Sequence, residues 1–232
     1  MSWFQLDPHS LARRARDSGR AAPSLAASLS RGVIGFMLVS IAGFAPWAVA
    51  GTWLYNFGEF WVYVSCALVF IACSGPALHR LIIGPGSLAR FYKLFGIAFA
   101  AYAAAWICCW MMIAGETGCL IGLFVGAALM GWILTRAFDA PSATLPVIAV
   151  LFVSNALGFY GGASAQLRVM RMQDFMLLLG RLHISSMMVA QLLWGAVYGI
   201  CFGAGLGLAF FLCQAQARAL LRDGEYSSLQ EQ

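Results

Sequence analysis

Long apolar stretches alternate with short polar ones along the chain, and six of them, about 33–55, 60–79, 94–114, 119–135, 144–164 and 184–213, are long enough to matter at membrane scale. A helix crossing ~30 Å of hydrocarbon needs about 20 residues, and in lipid every backbone N–H and C=O must be paired within the segment. The pattern predicts an all-α fold: a polytopic transmembrane helical bundle of about six spans. Between the fifth and sixth runs, residues 166–183 mix Arg168, Arg171, Asp174 and Arg181 with Met170, Met172, Phe175 and Leu177 to Leu179. That mixture predicts an amphipathic helix lying in the interface. Residues 1–32 read as a basic N-terminal arm, 33–213 as the membrane domain and 214–232 as a polar tail.

Inside the runs, glycine is spaced rather than scattered. Gly195, Gly199, Gly203 and Gly207 stand at i+4 intervals in the sixth run, and Gly118, Gly122 and Gly126 repeat the spacing at the fourth. On a helix this makes a groove without side chains, along which another backbone can approach closely, so both series are expected helix-packing seams of the glycine-zipper type. The seam partner is expected to be another helix of this chain, with a homo-oligomer or a partner membrane subunit as the alternative. Pro46 falls within the first run, where it frees a carbonyl for neighbours to satisfy. The sequence Ala48-Val49-Ala50 resembles a signal-peptidase site, but a thirty-residue polar arm before the run and apolar residues through Tyr55 favour a retained span.

Composition agrees with the pattern: 62% of the 232 residues are hydrophobic and 10% charged, an inventory that cannot cover a water-soluble surface. The formal charge of +5 is carried almost entirely by arginine and does not point to nucleic acid, because it sits in the loops. With both termini on one side, that side holds Arg13, Arg14, Arg16, Arg20, Arg31, Arg80, Arg90, Lys93, Arg136, Arg218 and Arg222, which is 11 of the 14 basic residues. The imbalance predicts cytoplasmic termini, and high Ala, Arg and Gly content suggests a bacterial inner membrane. Anionic membrane lipids are the expected partners of these loops. The seven cysteines show no CxxC spacing and read as small packing residues.

Chemistry-bearing residues are sparse. No charged residue falls mid-span, which argues against transport through titrating groups. Glu59, Glu116 and Asp139 stand at helix ends, and His79 and His183 fall on opposite faces of a six-span bundle, too far apart to share a metal; no metal or cofactor is expected. The strongest buried polar pair is Asn155 and Gln191. Counted inward from Ser164 and Ile184 their depths nearly agree, so they are expected either to clamp two helices or to line a polar pocket with Ser154, Tyr160 and Tyr198. Arg168, Arg171 and Arg181 are possible contacts for lipid headgroups. The reading that follows is a non-catalytic membrane subunit or scaffold packing against helices or lipids. The alternatives are a small transporter or channel for a neutral or amphipathic solute, and then a lipid-modifying enzyme using Glu116, His183 or the arginine pair.

Overall fold

A computed structural model describes residues 4–19, 21–182 and 185–230, so Arg20, His183 and Ile184 lie outside the described residues. The fold is all-α. A short helix α1 (Pro8–Asp17) precedes six long ones: α2 (Leu25–Leu54), α3 (Glu59–Leu78), α4 (Ser87–Ile113), α5 (Gly115–Ala137), α6 (Thr144–Arg171) and, after the short α7 (Gln173–Arg181), α8 (Ser186–Cys213). A last helix, α9 (Ala215–Gln230), follows at once. Six of these are long and apolar enough to cross a membrane.

The helices begin where local capping chemistry allows, not where the apolar runs begin. Ser24 caps α2 by accepting from the Ala27 N–H at 3.2 Å, so α2 starts eight residues before the apolar run and takes in Ser28, Ser30, Arg31 and Gly32. Gly86 provides the left-handed turn, at φ 65°, from which α4 starts at Ser87 and not at residue 94. At the far end, α6 continues through the predicted start of the interfacial segment to Arg171. The separate amphipathic helix is therefore only Gln173–Arg181, with Leu177 and Leu178 exposed and Leu179 buried.

Neighbours in sequence are neighbours in space. α2 packs on α3, α3 on α4, α4 on α5, α5 on α6, α6 on α8, and α8 returns to α2, closing a ring of six. The glycine series lie inside this ring. A β-carbon on Gly199 would come within 2.6 Å of Met37 Cα, and one on Gly207 within 2.5 Å of the Ser28 carbonyl oxygen, both on α2. Gly118 and Gly126 stand in the same relation to the Cys109 and Tyr102 carbonyls of α4, at 2.9 and 3.1 Å. Gly32, before the predicted first run, meets Gly203 and Gly207 and completes the α2–α8 contact. Gly158 and Gly162 of α6 press on Tyr198 and Trp194 from the other side of α8. Squeezed from both sides, α8 is the most buried span, with 56% of its apolar window inside.

The interior of the ring is filled unevenly. At the face carrying both termini it is packed with stacked rings: Phe91 lies 5.0 Å from Phe95 and 5.8 Å from Phe210, and Phe95 lies 5.4 Å from Phe99. α1 closes that face by burying Leu11 and Ala15 and packing on α9. Toward the opposite face the ring is hollow.

Candidate functional site: an aromatic cavity with a hydroxyl floor

The hollow is a partly open cavity of about 320 Å³, bounded by α2, α3, α4, α6 and α8. Helical spacing explains its lining: Phe99, Tyr102, Ala103, Trp106, Ile107 and Trp110 repeat at three and four residues along α4, so all face one way. Trp47 of α2 and Trp194 of α8 meet edge to face at 5.5 Å, and Phe159 of α6 meets Trp194 at 5.3 Å. Such pairs are favoured by the ring quadrupole and leave a rigid apolar wall. Two lining tryptophans, Trp106 and Trp194, hold their indole N–H groups buried with no hydrogen-bond partner among the described residues.

The polar groups gather at two levels. At the floor, Asn155 Nδ2 donates to Tyr102 Oη at 2.9 Å, and Tyr102 Oη lies 3.5 Å from Tyr198 Oη. Asn155 is wholly buried, and the two tyrosines, each nearly so, present their rings to the cavity. At the rim, Glu59 accepts from Tyr63 Oη at 2.5 Å and from Trp110 Nε1 at 3.2 Å, which ties α3 to α4 through two lining residues.

The expected pair of Asn155 and Gln191 is not formed, because both hydrogen bonds of Asn155 go to Tyr102. The reason is helix length. The contacts Gly162 with Trp194 and Gly205 with Ser154 set the α6–α8 register, and they place Asn155 level with the residues near Gly203. Gln191 is buried about three turns away. Counting depth from Ser164 misplaced Asn155, since α6 continues to Arg171. Of the other predicted members, Tyr198 joins the floor. Ser154 bonds back to the Leu151 carbonyl at 3.2 Å and abuts Gly205, and Tyr160 is 38% exposed. Arg168, Arg171 and Arg181 are exposed and are not drawn into the cavity.

Three contributors had little signal in the sequence. Tyr102 sits among alanines in the third run, yet it is the partner of Asn155. Gln214 and Arg218, assigned to a polar tail, are 2% and 8% exposed. Gln214 accepts from Ile83 N–H and donates to the Leu81 carbonyl, each at 2.9 Å, which fixes the loop before α4. His79, which follows α3, holds its Nδ1 3.1 Å from the Gly75 carbonyl in the last turn of that helix, and His183 lies outside the described residues. Among the described residues, no three His, Cys, Asp or Glu side chains converge. The chain matches no known family, curated protein or solved structure.

Proposed function

We propose that this membrane protein binds, and passes across or along the membrane, a small and largely apolar molecule carrying one hydrogen-bonding group. The observation that carries this reading is the aromatic cavity with its hydroxyl floor. Its volume, about 320 Å³, falls in the range of small-molecule sites, and such sites typically combine apolar walls with a few convergent polar atoms. The Tyr198 hydroxyl, backed by Tyr102 and Asn155, would orient a hydroxyl, carbonyl or amide of the solute, while Trp47, Trp106 and Trp194 enclose its body. Among the described residues no carboxylate or guanidinium lines the cavity wall, Glu59 standing at its rim, which suits a neutral solute.

The scaffold reading rests on plentiful small-residue seams and the lack of a catalytic constellation in the sequence. Here Gly199, Gly203 and Gly207 are occupied by α2, and Gly118, Gly122 and Gly126 by α4, so those seams act as internal packing devices. The basic excess beside the termini supports a cytoplasmic location for that face, with the cavity toward the outer one.

Native mass spectrometry of the protein extracted from its own membrane in mild detergent tests the reading. The expected result is a small-molecule adduct that survives gentle activation and is lost in Ala67→Phe, which places a ring in the cavity. An adduct retained by that variant, or none on the wild-type chain, would overturn it.

A further inference from the structure

A second cavity, of about 660 Å³, lies at the opposite end of the bundle, on the face that carries both termini. Its walls are Ala21 and Pro23 before α2, Arg31 of α2, His79 and Arg80 after α3, and the loop 82–86 into the first turn of α4. No carboxylate lines it among the described residues. Arg31 commits one N–H, donating to the Arg80 carbonyl at 3.3 Å, and the Arg80 guanidinium has no hydrogen bond to a described residue. A guanidinium carries five N–H donors, so most of the donor capacity of this wall is uncommitted. Arg90, just behind the loop, donates to the Pro85 carbonyl and keeps its Nη1 buried without a partner among the described residues.

The wall is held in place. Gln214 fastens the loop at Leu81 and Ile83, as described above, and Gly84 and Gly86 turn it at φ 90° and 65°. Gly86 offers α4 no side-chain cap. Arg31 and Arg80, both exposed, bring two positive charges to this wall with no lining carboxylate among the described residues, an arrangement that favours an anion. Their planar forks match the tetrahedral oxygens of phosphate.

We propose that this cavity binds a phosphate group, as a monoester or diester, held by Arg31 and Arg80. It is a separate site from the aromatic cavity. The headgroup of an anionic lipid and a small soluble phosphate compound present the same chemistry, and the test separates them. The full-length protein in neutral detergent is titrated with phosphatidylglycerol and, in a parallel arm, with glycerol 3-phosphate, while phosphatidylcholine serves as the zwitterionic control. Thermal stability and native mass spectra are read together.

One of the two anions is expected to stabilise the protein saturably, which assigns the source as lipid or soluble compound. The apparent affinity should fall about tenfold or more in R31Q/R80Q, the loss expected for charge-assisted hydrogen bonds. Leu88→Trp, which narrows the cavity without changing charge, should weaken binding too, and it carries the test should the arginine variant not fold. R168Q/R171Q, which removes equal charge from the opposite face, should bind as the wild type does. Stabilisation by neither anion, or equal weakening in R168Q/R171Q, would overturn the proposal.

Discussion

Asn155 lies in the middle of α6 with no surface exposed, and the Tyr102 hydroxyl meets its carboxamide at 2.9 Å. In hydrocarbon an unmet amide is costly, whereas an interhelical hydrogen bond within a membrane contributes of the order of 1 kcal/mol. Tyr102→Phe should therefore lower the melting temperature in detergent by leaving Asn155 unpaired. Combining it with Asn155→Leu should cost less than the sum of the two single changes, because the double variant leaves no orphaned amide. Strict additivity in a thermal double-mutant cycle would show that the pair is not coupled. Gly199 makes the steric counterpart. Any β-carbon there meets the α2 backbone at Met37, so Gly199→Leu should destabilise the monomer by about 3 kcal/mol, the upper end of overpacking costs. A variant that melts like the wild type but no longer forms crosslinked oligomers would mean that the groove serves a subunit contact instead.

At the scale of elements, the helix ends decide more than the helix middles. α1 is capped by Asp7, whose carboxylate accepts from the Ser10 N–H at 2.9 Å. Burial pushes the Asp7 carboxyl up, but the bonds from Ser10 outweigh it and hold the group below the usual carboxylate range. A depressed carboxyl contributes stability that is fully present above its unfolded pKa and is lost as pH falls through the folded value. The docking of α1 on α9 should thus loosen as pH drops below about 4, the ordinary aspartate value, and hydrogen exchange over residues 8–17 should report it. Asp7→Asn keeps an N-cap and should remove that acid transition. The loop before α4 depends in the same way on one side chain. Gln214→Leu deletes both of its bonds to Leu81 and Ile83, and faster proteolysis or hydrogen exchange between residues 81 and 86 is the expected outcome.

At the scale of the molecule, the interior of a ring of six helices is filled with aromatic rings toward one face and hollow toward the other; the aromatic cavity is that hollow, whereas the second cavity lies at the filled end, between the segment before α2 and the loop before α4. The spans were legible in the sequence because twenty apolar residues have few alternatives to a membrane helix. Legible too were the closely packing faces, since glycine at every fourth position defines a groove on any helix. Helix ends were not, because Ser24 and Gly86 extend α2 and α4 through polar residues that an apolar count leaves out. An error of two turns at the end of α6 was enough to pair Asn155 with the wrong residue. Which groove meets which backbone, that Tyr102 and Tyr198 come together from helices 96 residues apart in sequence, and that Arg31 and Arg80 share a wall are matters of register between helices. The sequence by itself therefore determined that the chain enters a membrane, roughly how often, and which of its faces pack closely, because those properties belong to single helices. Only the tertiary structure decided where the polar groups converge, because convergence depends on the relative height and rotation of helices, which are set by contacts between residues far apart in the chain.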